Sequence, residues 1–194
     1  NSIILDFEKE VLTSDLKYIF PSIDKRKLRK KIDEFGAGWI TKPQTNVLEE
    51  NQEQEKFKNA VINWLSEYEA VMMEEIVYQA VDLASKIPTS QMIDEIKYIL
   101  VDEYQDLNQL EQKFVDILAK KSEMLLVVGD PDQSIYSFKF AYPSGIQAFA
   151  GRKGVETCSL PFSERCPKKI IDMANQLLLQ DDPSRKNLIK PSPN

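Results

Sequence analysis

Two adjacent carboxylates, Asp102 and Glu103, are the residues of this sequence best placed to do chemistry. They directly follow the short apolar run Tyr98–Val101, which lacks alternation and predicts a buried strand of a parallel sheet. In open α/β sheets, ligands bind beyond the carboxyl ends of the strands. A carboxylate pair there suits Mg²⁺ and nucleotide phosphates, because one carboxylate can hold a hydrated metal while the other orients a water. On these residues alone, a solvated loop after an ordinary strand is an equally good interpretation.

A second segment repeats this design. The apolar run Met124–Val128 ends in a polar loop, Gly129–Lys139, which contains Gln133. Leu107–Lys120 lies between the two runs and has apolar residues at helical spacing, so the sequence predicts a strand, a helix and a strand in a right-handed crossover. Because the two strands would be parallel neighbours, we expect Gln133 to lie near Glu103.

The C-terminal part of the chain predicts a third strand and a further helix. Val155–Leu160 has the composition of a strand and leads to a polar loop with Arg165. A helix is expected at about Pro167–Leu179, because proline suits a first turn and apolar residues recur at helical spacing. We expect Asp181–Asn194, which contains three prolines, to be extended and poorly packed. Together these elements predict an α/β fold built on a parallel sheet.

Residues 1–95 are predicted to be almost wholly helical. Apolar residues recur at helical spacing through residues 57–83, which indicates one long helix or two consecutive ones. Asp24–Phe35 is rich in lysine and arginine, and Gly36 is the expected C-cap of its helix. A charge run of this kind is usually a solvated helix face. We expect Ala37–Asn51 to be a polar connection.

Three segments carry a resemblance to a known family. Val101–Asn108, Val-Asp-Glu-Tyr-Gln-Asp-Leu-Asn, resembles motif II of the UvrD/Rep-like superfamily 1 DNA helicases. Val128–Lys139, Val-Gly-Asp-Pro-Asp-Gln-Ser-Ile-Tyr-Ser-Phe-Lys, resembles their motif III, and Leu160–Pro167 resembles their motif IV. Order and separation both fit the family.

The resemblance implies a division of the chain into three parts. Residues 1–95 would be a helical 1B-like subdomain, whose basic segment lies where the family can touch duplex DNA. Residues 96–165 would be the C-terminal part of the RecA-like P-loop NTPase domain called 1A, with motifs II, III and IV. Residues 166–194 would be a helix and an extended tail leading toward a 2A domain.

Four residues take roles in ATP hydrolysis through this resemblance. Asp102 would hold Mg²⁺, mostly through water, and Glu103 would be the base that orients the attacking water. Gln133 would sense the γ-phosphate and couple its presence to DNA. Arg165 would neutralise transition-state charge as an arginine finger. Glu164 replaces the family's tyrosine before this arginine.

The same resemblance implies a DNA path. Phe138 falls where the family places an aromatic residue that stacks on a single-stranded base, and Tyr136 and Lys139 would line the same path. The alternative is that both aromatic residues belong to the core and that Gln133 is a turn residue. The family usually continues motif III with Arg-Gly, whereas this chain has Lys139 and Phe140. Lysine keeps the charge but lacks the planar fork of arginine.

No Gly-x-x-x-x-Gly-Lys-[Ser/Thr] motif occurs in the sequence. That loop would supply a backbone cradle for phosphates and a Mg²⁺ ligand, and in the family it precedes motif II. We therefore expect the chain to be an internal piece of a longer helicase and to be inactive in isolation. The complete enzyme would use ATP and Mg²⁺, move 3′ to 5′ on single-stranded DNA, and unwind duplex DNA in repair or replication.

The composition limits the class of protein. The sequence has no histidine, which excludes histidine-based catalysis, and its two cysteines cannot build a four-cysteine zinc site. We expect Cys158 and Cys166 to be buried thiols in a reducing cytoplasm. No apolar stretch is long enough to cross a bilayer, so no membrane partner is expected. A net charge of −6 argues against strong nucleic-acid binding by this chain alone.

Two other functions stay open at the level of sequence. Asp102, Glu103 and Asp130 could hold metal for a nuclease, although Lys97 lies on the wrong side of the strand end for that chemistry. The chain could also be a DNA- or protein-binding module without turnover. Metal-dependent DNA cleavage without ATP would support the nuclease, and retention on DNA without hydrolysis would support the binding module.

Overall fold

The computed structural model describes residues 2–41, 52–87, 96–136 and 140–193, in two compact units, residues 1–149 and 150–194. The described helices and strands are, in chain order, β1 (Ser2–Ile4), α1 (Asp6–Ile19), α2 (Lys25–Thr41), α3 (Gln52–Glu67), β2 (Ala70–Met72), α4 (Met73–Lys86), β3 (Tyr98–Val101), α5 (Gln109–Leu118), β4 (Met124–Val127), α6 (Ser144–Ala150), β5 (Phe162–Ser163), α7 (Lys168–Asp181) and β6 (Lys190–Pro191). In the described ranges the strands form small parallel pairs, β1 with β2, β3 with β4 and β5 with β6. This mixture of helices and parallel strands agrees with the predicted α/β class.

A helical cluster with a short sheet forms the main hydrophobic core of the first unit. Helices α1 and α2 place their apolar stripes inward, because apolar residues recur along each helix at intervals of three and four. The core residues without exposed surface include Leu12, Leu16, Leu28 and Ile32. The prediction that residues 1–95 are almost wholly helical was wrong at β1 and β2. These strands pair residues that are far apart in sequence, Ile3 with Val71 for example, and local periodicity does not report such pairing.

Helix α2 does not end at Gly36, so the predicted C-cap was wrong. The helix continues to Thr41 and takes in the first residues of the expected polar connection, whose remainder, residues 42–51, lies outside the described residues. A Cβ atom at Gly36 would lie 2.9 Å from Met72 Cε and 3.2 Å from Glu74 Cδ. Glycine at this position therefore lets α2 approach the junction of β2 and α4 closely.

Strands β3 and β4 and helix α5 form the predicted strand–helix–strand unit. Val101 lies opposite Val127 at the carboxyl ends of the two strands. Asn108 caps α5: its side chain accepts from the N–H groups of Leu110 and Glu111, both at 2.9 Å, and the Glu111 carboxylate accepts from the Asn108 N–H at 2.8 Å. This reciprocal capping box fixes where the helix starts after β3.

The prediction that β3 is buried was wrong: one face of the strand is exposed, and the other, which carries Ile99 and Val101, is half-buried. Tyr98 and Leu100 are 58% and 68% exposed, and Met124 and Leu126 are each 45% exposed. Because successive side chains alternate across a strand, these four residues share one face of the two-stranded sheet. That face is open to solvent in the described part of the chain. The parallel pairing was predictable from sequence, whereas burial depends on what covers the sheet.

In the second unit, the predicted strand Val155–Leu160 was wrong. These residues form no strand, and residues 156–160 are exposed. Pairing occurs instead between β5 and β6. Helix α7 begins at Lys168, one residue after the predicted start, with Pro167 as its N-cap. Asn175 joins the helix to the tail: its Nδ2 donates to the Ile189 carbonyl at 2.8 Å and its Oδ1 accepts from the Ile189 N–H at 3.3 Å. The tail is therefore better packed near Ile189 than predicted.

Both cysteines are free thiols, which confirms the expectation that they form no disulfide with each other. Cys158 is exposed and Cys166 is half-buried, so the expectation that they are buried was wrong. In the described residues, no helix combines the length and the apolar character that crossing a membrane requires.

Candidate functional site

The loops that follow β3 and β4 start at the same edge of their small sheet. The parallel pairing continues past the strands, because the Val128 N–H donates to the Val101 carbonyl at 2.8 Å and the Tyr104 N–H donates to the Val128 carbonyl at 2.9 Å. The first loop carries Asp102 and Glu103, and the second begins at Gly129. Adjacent parallel strands therefore deliver the two predicted loops to one place, as the crossover unit requires.

Glu103 has an unusual backbone conformation. Its φ and ψ are 51° and 43°, in the left-handed region that residues other than glycine seldom adopt. A 3₁₀ turn, Tyr104–Asp106, follows directly, and the Asp106 N–H donates to the Glu103 carbonyl at 2.9 Å. Such a conformation costs of order 1–3 kcal/mol and recurs at functional sites. The tight turn leaves the carboxylates of Asp102 and Glu103 exposed at the strand end.

Both carboxylates are held by hydrogen bonds. Asp102 Oδ1 accepts from the backbone N–H of Glu103 at 2.9 Å. Glu103 Oε2 accepts from Nε2 of Gln105 at 2.7 Å, and this glutamine is only 1% exposed. The Oε1 atom of Gln105 accepts from the Asp130 N–H at 3.0 Å. One buried amide thus connects the carboxylate loop to the start of the second loop.

Gln133 belongs to the same network. Its Nε2 donates to Asp130 Oδ2 at 2.8 Å, and Asp130 Oδ1 accepts from the Asp132 N–H at 3.1 Å. Asp130 therefore caps the 3₁₀ turn Pro131–Gln133 and orients the Gln133 side chain, which is exposed. Through Asp130 and Gln105, Gln133 is linked to Glu103 by side-chain and backbone contacts.

Hydrogen bonds also fix the far end of the second loop. The Tyr142 N–H donates to the Leu107 carbonyl at 2.9 Å, and Gln112 Nε2 donates to the carbonyls of Leu107 and Tyr142 at 3.2 and 3.0 Å. Tyr136 is 37% exposed on the loop, and Phe140 has a left-handed φ of 61°. Phe138 and Lys139, the other predicted DNA contacts, lie outside the described residues.

Arg165 lies in the second unit. It is exposed and follows β5 closely, in a turn where the Cys166 N–H donates to Ser163 Oγ at 3.1 Å. Its role as an arginine finger, like the roles of the other predicted site residues, stays a prediction.

Among the residues that the structure describes, acidic side chains do not gather as a multi-carboxylate metal site. In the described ranges, no group of three or more histidine, cysteine, aspartate or glutamate side chains could hold one metal ion. Asp130, which the nuclease alternative required beside Asp102 and Glu103, instead accepts hydrogen bonds from Asp132 and Gln133. Two exposed carboxylates alone suit a cation that keeps several waters and takes further ligands from phosphate, as Mg²⁺ does.

Sequence reasoning missed Gln105, which connects the loops. It stands inside the segment that resembles motif II, yet only its carboxylate neighbours were given roles. Gly129 was missed too: a Cβ atom there would collide with Gln105 Oε1 and would come 3.1 Å from the Tyr104 nitrogen. A glutamine two residues after a carboxylate pair and a glycine two residues beyond the neighbouring strand are the signals that could have found this contact.

The fold and the site together describe an α/β domain with a carboxylate pair at the end of a parallel strand. The family of UvrD/REP helicase N-terminal domains matches residues 4–153. The chain therefore belongs to the UvrD/REP helicase family, which confirms the family resemblance. Motifs II and III lie within the matched residues, whereas the resemblance of Leu160–Pro167 to motif IV lies beyond them and stays a prediction.

Individual relatives agree with this assignment. The chain is 35% identical over 117 residues to DNA helicase II of Haemophilus influenzae. It is 33% identical over 117 residues to the ATP-dependent DNA helicase PcrA of Staphylococcus epidermidis and to that of Staphylococcus aureus. Each match covers 59% of this chain and 16% of the relative, so the chain corresponds to a small part of the length of these proteins.

Proposed function

We propose that this chain acts as part of an ATP-dependent DNA helicase. The whole protein would couple Mg-ATP hydrolysis to 3′-to-5′ movement on single-stranded DNA and to duplex unwinding, in cytoplasmic DNA repair or replication. Membership of the helicase family supports this proposal. The observation that carries it is the hydrogen-bonded link from Glu103 through Gln105 to Asp130. This link joins the loop expected to act on the nucleotide to the loop expected to reach DNA.

Asp102 and Glu103 would hold Mg²⁺. Both carboxylates are exposed at the end of β3, and Mg²⁺ is usually bound by one or two carboxylates together with waters and substrate phosphates. When bound, Mg²⁺ neutralises charge on the phosphates. The bond from the Glu103 N–H to Asp102 Oδ1 restricts rotation of the Asp102 carboxylate, so less ordering is needed when a ligand arrives.

Glu103 would orient the attacking water and accept its proton. A general base contributes only when it lies within hydrogen-bond reach of the proton that it removes. The left-handed turn and the bond from Gln105 hold the Glu103 carboxylate in one orientation. Gln133, oriented by Asp130, would sense the γ-phosphate, and Arg165 would act as the arginine finger.

The second loop would carry the DNA contacts. Phe138 would stack on a base, and Tyr136 and Lys139 would line the same path. Because the start of this loop is bonded to the carboxylate segment through Gln105, a change around the nucleotide would alter the position of these side chains. Stacking with little base preference suits a protein that moves along DNA of any sequence.

The domain organisation is also part of the proposal. Residues 1–95 would form a 1B-like helical subdomain, residues 96–165 the C-terminal part of a RecA-like domain 1A, and residues 166–194 the connection toward 2A. The relatives are much longer than this chain. The rest of the protein would supply the phosphate cradle, because the sequence contains no P-loop motif.

The proposal is tested by measuring phosphate release from ATP with and without single-stranded DNA, for the full-length protein and for the isolated chain. We expect DNA-stimulated hydrolysis by the full-length protein and none by the isolated chain, which lacks the loop that positions the triphosphate. Glu103→Gln should lower kcat by ~10²–10⁴-fold, the usual contribution of a general base. Glu67→Gln, which changes an exposed carboxylate on α3, is the matched control and should leave kcat unchanged.

Three results would contradict the proposal: no ATP hydrolysis by the full-length protein, full activity of Glu103→Gln, or rapid turnover by the isolated chain. Metal-dependent cleavage of DNA without ATP would favour the nuclease alternative instead.

A further inference from the structure

Gln105 is a buried polar residue whose side chain bonds to two separate loops. Its Nε2 donates to the Glu103 carboxylate at 2.7 Å, and its Oε1 accepts from the Asp130 N–H at 3.0 Å. The residue is 1% exposed. In a buried position an unmade hydrogen bond is costly, so both ends of the amide favour this single arrangement.

The surrounding backbone is shaped around this amide. Gly129 lies two residues beyond the end of β4, and a Cβ atom there would collide with Gln105 Oε1. The Gln105 carbonyl also accepts from Ser134 Oγ at 3.5 Å, one residue beyond Gln133. Gln105 therefore contacts both the start and the end of the turn that presents Gln133.

We propose that Gln105 is a positioning residue that orients the Glu103 carboxylate and couples it to the loop of Gln133. This inference rests on the proposed function, because Glu103 must act as the base for its orientation to matter. Gln105 does not touch the reacting atoms. It acts through Glu103, whose carboxylate it holds, and through Asp130, whose side chain orients Gln133.

Gln112 offers a matched control. It is also a buried glutamine, 7% exposed, and it also joins the segment after β3 to the second loop. Its Nε2 donates to the backbone carbonyls of Leu107 and Tyr142, at the far end of the loop. Loss of either amide removes buried hydrogen bonds between the same two segments, but only Gln105 bonds to Glu103.

The experiment compares Gln105→Leu and Gln112→Leu in the full-length protein. We expect Gln105→Leu to lower kcat for ATP hydrolysis roughly 10- to 100-fold, the range seen when a partner that orients a functional group is removed. The KM for ATP should change by less than about 3-fold, because a misoriented base acts on the transition state and not on substrate binding. Gln112→Leu should lose a similar amount of thermal stability but keep kcat within about 3-fold.

A second variant and a second measurement guard against misfolding. Gln105→Glu keeps the volume and the acceptor for the Asp130 N–H but removes the donor to Glu103, so kcat should fall while the amide of Asp130 stays protected from hydrogen exchange. Gln105→Leu should instead speed exchange in the peptide around Asp130, with or without nucleotide.

Equal effects of Gln105→Leu and Gln112→Leu on kcat would overturn the inference, and so would unchanged exchange at Asp130 in Gln105→Leu. A full-length protein without ATPase activity would overturn the proposed function, and the exchange measurement would still decide whether Gln105 holds the loop.

Discussion

The helical core around α1 and α2 and the two loops beyond β3 and β4 are held together by different forces. In the core, buried aliphatic side chains such as Leu16, Leu28 and Val61 pack with no exposed surface. In the loops, the segments are joined by hydrogen bonds between backbone groups and by those of two buried side chains, Gln105 and Gln112.

The two regions therefore tolerate different kinds of substitution. Apolar burial is non-directional and follows the area removed from water, so a core accepts another apolar residue of similar volume at small cost. Hydrogen bonds depend on the position of individual atoms. The loops therefore need glutamine at positions 105 and 112, and they need glycine at position 129, where a Cβ atom would collide with Gln105. The first region supplies stability, and the second fixes the direction of a few functional groups.

The largest effect on stability is expected from Leu28→Ala in the helical core. Leu28 is fully buried, and truncation of such a residue leaves a cavity that costs ~2–5 kcal/mol. Chemical denaturation of the full-length protein measures the loss, and Leu28→Met, which nearly conserves volume, should cost less than ~1.5 kcal/mol. At a temperature where both variants are folded, the kcat for ATP hydrolysis should equal that of the unsubstituted protein. A drop in kcat that matches the loss of stability would show that packing in the helical core also affects the loops.

For Phe138→Ala we expect a smaller effect, on DNA binding and not on stability. If the ring stacks on a base, binding of single-stranded DNA should weaken by ~1–3 kcal/mol while the melting temperature stays unchanged. Fluorescence anisotropy with a labelled oligonucleotide measures the affinity, and Phe138→Tyr, which keeps an aromatic face, is the control. Normal DNA affinity together with a lowered melting temperature would make Phe138 a core residue and would remove it from the functional region.

The smallest effect is expected at Phe140, where the loop is strained. Its φ of 61° is the left-handed conformation, which costs a residue with a Cβ atom ~1–2 kcal/mol. Phe140→Gly should therefore be more stable than Phe140→Ala by ~1 kcal/mol, although both lose the same ring. Equal stability of these two variants in denaturant titrations would mean that the loop relaxes and that no strain is held there.

Much of the fold was predictable because it depends on local sequence. The amphipathic stripes of α2 and α5 follow from apolar residues at helical spacing. The start of α7 was predictable to within one residue from Pro167, although this proline is the N-cap of the helix and not part of its first turn. The parallel pairing of β3 with β4 follows from two apolar runs joined by one helix, since such crossovers place parallel strands side by side.

Other parts depended on partners that are distant in sequence. The three-residue strands β1 and β2 exist because residues 2–4 meet residues 70–72. Val155–Leu160 has the composition of a strand but finds no pairing partner in the described chain, while the less suggestive Phe162–Ser163 pairs with β6. Gly36 was predicted to end a helix because glycine is common at C-caps. In the structure it lies inside α2, where the missing side chain allows close packing against Met72 and Glu74.

The family, the carboxylate pair and the order of the loops were predictable from sequence, because a motif is a local pattern of neighbouring residues such as Asp102 and Glu103. How these groups are held depends instead on tertiary contacts. The left-handed turn at Glu103 and the amide of Gln105 that reaches Asp130 arise from two chain segments meeting at one sheet edge. No local pattern records that contact, because a hydrogen bond between distant segments depends on the position of both backbones and not on the spacing of residues along one of them.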